Sequence, residues 1–341
     1  MKPLKNQRAM AVIFIALPLI TFIGSLMFGR YEVSFQNVIG IILSQFMHID
    51  PYWTTTDEIV IIKLRIPRIL LAMLIGAGLS VSGASFQGIF RNPLVSPHIL
   101  GVASGAGFGG IVAMVLFDHP WSVLLFSFVF GIAALVAAHF MSRVGKATPI
   151  LMLVLSGVIV NAFFAAMISV VKFLSDPLDE LPSIVFWLMG SLAASSYTKL
   201  AMVSVPILIC MGILIALRWR INILSLGDED AQALGIGVEN VKWMIIICVT
   251  VIVALSVSIC GIIGWVGLAI PHIARMVVGP DHQVLLPASM SFGAVYLLLM
   301  DDIARTLTPA EIPLGILTAI IGAVIFGYLL RTTHGRGWVD R

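Results

Sequence analysis

The sequence predicts an all-α membrane protein of about ten transmembrane helices, with both termini on the inner side. Three observations predict this class: an apolar composition, apolar stretches that recur at membrane-spanning length, and an uneven distribution of Lys and Arg. Of the 341 residues, 60% are hydrophobic and only 11% are charged, whereas about a quarter of a soluble domain is charged. The net charge is only +3 and the sequence contains no Lys/Arg run, which argues against nucleic acid as a partner.

Apolar stretches near the ~20 residues that a helix needs to cross a bilayer recur along the whole chain. The polar residues 31–58 after the first stretch predict a short surface helix. Gly or Pro interrupts the third and eighth stretches near one end. The ten predicted spans lie near 9–29, 63–90, 97–117, 121–142, 149–173, 197–217, 242–263, 266–279, 285–304 and 312–331.

Orientation follows from the positive charges, because Lys and Arg accumulate on the cytoplasmic side of membrane proteins. With the N-terminus inside, 13 of the 20 Lys and Arg residues fall on the inner side and seven on the outer side. The C-terminus is then also inside.

Two short motifs occur twice. Leu-Ser-Val-Ser at 79–82 recurs at 255–258, and Pro-His-Ile at 97–99 recurs at 271–273. Five spans separate the copies, and an odd number reverses direction, which predicts an inverted repeat of spans 2–5 (60–173) and spans 7–10 (242–331). Inverted repeats are common in transporters. Chance similarity between Gly/Ser-rich helices is the alternative.

Small and polar residues inside the spans point to packing or to a pathway. Gly101, Gly105 and Gly109 form a ladder that lets another helix approach closely. No strand precedes this ladder, which excludes a dinucleotide fingerprint. Asn161 in the fifth span is costly in lipid and is predicted to face the protein interior or the pathway. The three cysteines are scattered and predict no disulfide or metal site.

The polar segment 218–241 between spans six and seven is predicted to form two short helices folded about Gly227. Acidic residues open the second helix, where the helix dipole favours them, and Gly235 is a typical residue for ending it. Exposed leucines would make the segment a docking surface, and a solvated connector is the alternative. The residues of this prediction are Leu224, Leu226, Gly227, Asp228, Glu229, Asp230, Ala231, Leu234 and Gly235.

The stretch Leu-Ser-Leu-Gly-Asp-Glu-Asp-Ala-Gln-Ala-Leu-Gly-Ile at 224–236 resembles the cytoplasmic coupling loop of the FecCD family of ABC importer permeases. Four further stretches resemble family motifs in the same order: 64–68, 87–94, 267–275 and 311–315. The resemblance covers roughly residues 60–331 and implies one permease domain over 1–341, with 218–241 as its coupling loop. Its coupling residues would be Leu226, Gly227, Asp228, Glu229, Ala231, Leu234 and Gly235.

The resemblance implies a homodimer with the pathway between the two copies, in a bacterial or archaeal cytoplasmic membrane. It also implies two cytoplasmic P-loop ATPases, which hold ATP and Mg²⁺, and an extracytoplasmic substrate-binding protein. The chain itself lacks GxxxxGK[ST], so it is expected to be a non-catalytic subunit without a bound cofactor. Iron–siderophore is the expected substrate; cobalamin, haem and molybdate or tungstate are alternatives.

Three arginines on the predicted outer side run against the positive-inside bias: Arg65, Arg68 and Arg305. The resemblance implies that they pair with glutamates on the two lobes of the binding protein, and snorkelling to lipid phosphates is the alternative. Asp301 and Asp302 are predicted to pair locally with Arg305.

Two other classes of function are considered. An ion-coupled secondary transporter also uses inverted repeats, but it usually places carboxylates at mid-membrane, and here Asp and Glu lie near span ends or in loops. A membrane-embedded enzyme would need clustered His, Asp or Glu within the spans, and the sequence shows no such cluster.

Overall fold

A computed structural model describes residues 7–117, 119–143 and 149–333, and these ranges contain helices and connecting loops but no strand. Lys2, Lys5, Lys146, Arg336 and Arg341, which were counted on the inner side, lie outside the described residues. The helices are α1 (Gln7–Met27), α2 (Phe35–Ser44), α3 (Thr55–Glu58), α4 (Ile66–Ile89), α5 (Val102–Leu116), α6 (Pro120–Ser142), α7 (Ile150–Leu174), α8 (Glu180–Leu188), α9 (Tyr197–Ala216), α10 (Arg218–Leu224), α11 (Asp228–Ala233), α12 (Val238–Cys260), α13 (Val266–Val278), α14 (His282–Thr306) and α15 (Leu314–Thr333).

The polytopic helical class is confirmed, and a helix lies at each of the ten predicted spans. Within the described ranges, five helices are long and apolar enough to cross a membrane unaided: α6, α7, α9, α12 and α14. The third span, predicted at 97–117, is corrected, because α5 has only 15 residues; the eighth, predicted at 266–279, matches the 13-residue α13 to within one residue. At 1.5 Å per residue they are about 22 and 20 Å long, which is short of the ~30 Å hydrocarbon core.

Backbone breaks explain why these two helices are short. The segment Pro97–Leu100 is a 3₁₀ turn, and Gly101 then adopts a left-handed conformation (φ 77°) before α5 begins. Trp265 has a positive φ of 67° immediately before α13. Pro97 opens a turn whereas Pro271 lies inside α13, so the two copies of Pro-His-Ile differ locally. The inverted orientation of the repeats stays a prediction.

The centre of the molecule is formed by α4 and α14, with α12 and α13 packed beside them. A side chain on Gly76 would collide with the carbonyl oxygen of Gly293, and one on Gly83 with that of Gly267. Glycine therefore allows backbone-to-backbone contact where these helices cross. The peripheral helices α6, α7 and α9 leave most of their apolar surface exposed.

The polar stretch after the first span contains α2 and α3, so the predicted surface helix is present, together with a second short one. From α3 the chain continues without a loop through a seven-residue π-helical stretch, Ile59–Arg65, into α4. The nine-residue α8 was not predicted.

Candidate functional site

The segment between α9 and α12 forms two short helices, α10 and α11, as the sequence predicts. They fold about Gly227, whose φ of 150° is a conformation that glycine adopts readily and other residues rarely do. At the other end of α11, Gly235 has a φ of 78°. The Ile236 N–H donates to Ala231 O and the Gly235 N–H donates to Gln232 O, which is a Schellman ending.

The outward face of this segment carries two leucines: Leu226 is 66% exposed and Leu234 is 62% exposed. Leu224 and Ala231 were predicted to lie on the same face, and this is wrong, because they are 1% and 0% exposed. One side of each short helix is packed against the protein, and these two residues lie on that side. Glu229, which lies between the two leucines in the sequence, is also exposed. We call Leu226, Glu229 and Leu234 the coupling face.

Asp228 anchors α11 to the membrane helices. Its carboxylate accepts a hydrogen bond from Lys242 Nζ of α12 at 2.5 Å and lies 3.8 Å from Arg91 Nη2, just after α4. Lys242 is buried whereas Asp228 is partly exposed. The structure therefore gives Asp228 one intramolecular partner on α12 and one just after α4, and the sequence alone singles out neither Lys242 nor Arg91 for this contact.

A second anchor joins α10 to the start of α14. Asn222 Nδ2 donates to Asp281 Oδ1 at 2.6 Å, and the His282 N–H donates to Asn222 Oδ1 at 2.8 Å. A side chain on Gly88 of α4 would lie 2.6 Å from Ile221 and 2.7 Å from the His282 ring. The coupling face is thus fixed to α4, α12 and α14. Asp281 also caps α14, because its carboxylate accepts a hydrogen bond from the Gln283 N–H. This N-cap is the one feature of the anchor that the local sequence indicates.

The opposite ends of α4 and α14 hold a network of charges. Arg68 donates from Nε and Nη2 to both oxygens of Asp301 at 2.8–3.1 Å, and from Nη1 and Nη2 to Glu311 at 2.9 Å. Asp301 is completely buried. The prediction that Asp301 pairs with Arg305 is wrong, because Arg68, 233 residues away, occupies its carboxylate. Sequence spacing gives no signal for a pair so distant along the chain.

The other two predicted docking arginines are also enclosed. Arg305 is 5% exposed and pairs with Asp302, as predicted; it also donates to Ser25 O and Ser25 Oγ of α1, both at 2.8 Å. Arg65 is 4% exposed and donates to the carbonyl oxygens of Leu26 and Tyr31. Both guanidinium groups tie α1 to the α4–α14 pair.

Docking of a partner through these arginines stays a prediction, and their geometry argues against it. A guanidinium with intramolecular acceptors and almost no exposure must break those bonds before it pairs with another carboxylate. Glu311, a quarter exposed, is the replaceable partner of Arg68. Burial disfavours its charged form, but the hydrogen bonds from Arg68 and the positive charges of Arg68, Arg30 and Arg305 together hold the pKa of Glu311 below its usual value of 4.5.

The coupling face and the charge network lie at the two ends of the same helix pair. Arg68 and Gly88 are 20 residues apart on α4, which corresponds to about 30 Å of helix. The close approach of Gly76 and Gly293 fixes α4 against α14 between these points. The close packing at this crossing opposes independent sliding of the two helices.

The remaining predicted residues lie where α5 meets its neighbours. Gly105 and Gly109 face α6, where an added side chain would meet Ala134 and the backbone of Phe126. Gly101 faces α7 instead, because a side chain added there would lie 3.0 Å from the Asn161 backbone nitrogen, so the three glycines do not share one face. Asn161 is exposed and accepts a hydrogen bond from Ser104. The prediction that Asn161 faces the protein interior is therefore wrong, and the alternative, that it faces the pathway, stays a prediction.

Comparison with known proteins identifies a matching family and several relatives of this chain. The model of the FecCD transport family matches residues 17–332. The molybdate import system permease protein MolB of Haemophilus influenzae is 45% identical, over 91% of this chain and 92% of that protein. The "Probable iron chelatin transport system permease protein" of Helicobacter pylori is 41% identical, over 91% and 94%. A solved inward-facing structure of a metal-chelate type ABC transporter covers 96% of this chain and 100% of its own, with 44% identity and a TM-score of 0.86.

Proposed function

Because the chain belongs to the FecCD transport family, the transmembrane permease component of ABC importers, we propose that it works as a homodimer with the pathway between its two copies. Two P-loop ATPases would bind its coupling faces and hydrolyse ATP with Mg²⁺. An extracytoplasmic binding protein would deliver the substrate. The setting would be a bacterial or archaeal cytoplasmic membrane.

The coupling face carries this proposal. Exposed leucines at a surface otherwise fixed by polar contacts are typical of a docking site, and Asp228 and Asn222 connect this surface to three central helices. When the ATPases close around ATP, they would move α10 and α11 as a unit. Those anchors would then carry the motion into α4, α12 and α14 and reopen the pathway on the other side.

Two of the expected substrates are those named for the relatives reported above. An iron chelate is supported by the Helicobacter pylori relative, whereas the solved transporter is described only as a metal-chelate type. Molybdate is supported by the Haemophilus influenzae relative, whose identity of 45% compares with 41% for the iron relative. Both are metal-containing species that a binding protein can deliver to the same kind of permease dimer.

Uptake into proteoliposomes tests the function and separates the substrates. The permease is reconstituted with its ATPase and binding protein, and radiolabelled molybdate or ferric siderophore is added outside with ATP enclosed. We expect ATP-dependent accumulation of one of the two. ATP-dependent accumulation of neither would contradict the substrate assignment, and accumulation driven by an ion gradient without ATP would contradict the importer class.

A further inference from the structure

A cavity of about 690 Å³ opens at the end of the molecule opposite the coupling face. Its walls come from the start of α6, from α8, from the loop and first turn of α9, and from the last turn of α12. The part of α9 from Met202 to Ala216 separates the cavity from α10, a distance of about 21 Å. Neither the coupling face nor the charge network includes any of its lining residues.

The cavity has an apolar part and a polar part, as binding sites for small molecules usually do. Leu124 of α6, Phe186 of α8 and Met202 of α9 line the apolar part. Hydroxyl groups of Ser196 and Thr198 lie in the wall near the start of α9. The volume falls within the 300–1,000 Å³ that such sites commonly enclose.

Lys199 gives the polar part a positive charge. It lines the cavity and is only partly exposed. No carboxylate among the described residues lies within salt-bridge distance of it; the described ion pairs all involve other cations. A partly buried ammonium group without a counter-ion is unfavourable, and its place in the first turn of α9 adds the positive end of the helix dipole. A bound anion would supply the counter-charge that Lys199 lacks among the described residues.

The position of the cavity indicates where the anion comes from. Trp121 and Trp187 line it, and tryptophan is enriched where membrane proteins meet the lipid headgroups. The helices α6 and α9 on its sides expose most of their apolar surface, and Trp121 itself is exposed. The ligand can therefore enter from the bilayer, where an anion attached to an apolar chain is abundant.

We propose that this cavity binds an anionic phospholipid, with the phosphate at Lys199 and an acyl chain along Leu124, Phe186 and Met202. Charge and shape are both complementary: one cation and neighbouring hydroxyls suit a phosphate, and the remaining wall suits a hydrocarbon chain. The lipid fills the space between α6, α8 and α9 and supports α8 against the last turn of α12.

Native mass spectrometry of the reconstituted permease tests the proposal. Nanodiscs contain either phosphatidylglycerol or phosphatidylcholine, and lipid retained per chain is counted after release. We expect phosphatidylglycerol to be retained by the wild type and by Lys199→Arg, and retention to fall about tenfold in Lys199→Gln. Lys172→Gln is the control, because Lys172 is another partly exposed lysine near the end of a membrane helix but outside the cavity.

A second variant separates charge from space. Ala193 lines the cavity, so Ala193→Trp fills it while leaving Lys199 in place, and we expect it also to lose the lipid. Equal retention by Lys199→Gln and the wild type would overturn the proposal, as would equal retention of phosphatidylcholine. Binding of inorganic phosphate at Lys199 without any retained lipid would also overturn it and would assign a site for a free anion.

Discussion

Replacing Arg68 separates an internal role of the outer arginines from a docking role. Arg68→Met removes the cation that makes five hydrogen-bond contacts of 2.8–3.1 Å to Asp301 and Glu311. Asp301 is completely buried, so the variant leaves a buried carboxylate without a partner. Breaking a buried ion pair in this way costs about 3–5 kcal/mol.

Two companion variants give the expected order of effects. Arg68→Lys keeps the charge but loses the planar fork, and we expect a loss of about 1.5–3 kcal/mol. In Arg68→Met combined with Asp301→Asn no buried charge remains unpaired, so the double variant should lose less stability than Arg68→Met alone. The assay is unfolding of the purified permease in mixed micelles, followed by tryptophan fluorescence.

Affinity for the binding protein is measured on the same preparations. If Arg68 has an internal role, Arg68→Met loses stability more readily than it loses affinity for the binding protein. The affinity of the double variant then stays near that of the wild type. Wild-type stability of Arg68→Met together with weakened binding would refute the internal role and restore the docking prediction.

Four residues outside this pair give further predictions. Because Arg68 lowers the pKa of Glu311, the ionised Glu311 stabilises the fold above pH 4.5, and this stabilisation is lost as pH falls through the lowered pKa. Glu311→Gln should therefore reduce the fall in melting temperature at acid pH. A melting-temperature profile identical to that of the wild type would contradict this. Gly227→Ala should cost about 1–3 kcal/mol through backbone strain alone, since no atom lies closer than 3.6 Å to the added carbon, and it should lower uptake per ATP hydrolysed; normal coupling would show that the turn adapts. Gly109→Ala should destabilise by about 1–3 kcal/mol, whereas Gly212→Ala, with nothing within 4 Å, should be neutral or stabilising; equal melting temperatures would contradict tight packing of α5 on α6.

Local features of the structure follow closely from the sequence. Gly227, the acidic residues after it and Gly235 define α11 because turn and capping preferences act within a few residues. The spans follow from apolar stretches of membrane length. Gly101 adopts a positive φ and interrupts the helix there, so α5 is shorter than the apolar stretch at 97–117 suggests.

Features that depend on distant contacts do not follow from the sequence. Arg68 and Asp301 are far apart along the chain, and only the packing of α4 on α14 brings them together. The same reason explains why the sequence wrongly predicts Ala231 in the docking surface: its apolar side chain gives no indication of whether solvent or another helix covers it. Asn222 is inconspicuous until α10 lies against α14.

The most direct test of the central claim, that the coupling face transmits ATP hydrolysis to the central helices, is ATP-driven uptake by Leu234→Asp in proteoliposomes. Leu307→Asp is the matched control, because Leu307 is also exposed but follows α14 at the opposite end of the molecule. We expect Leu234→Asp to insert and dimerise normally, to bind the ATPase at least tenfold more weakly and to lose uptake, while Leu307→Asp transports as the wild type does. Wild-type uptake and ATPase affinity in Leu234→Asp would contradict the claim and leave the segment as a connector between α9 and α12.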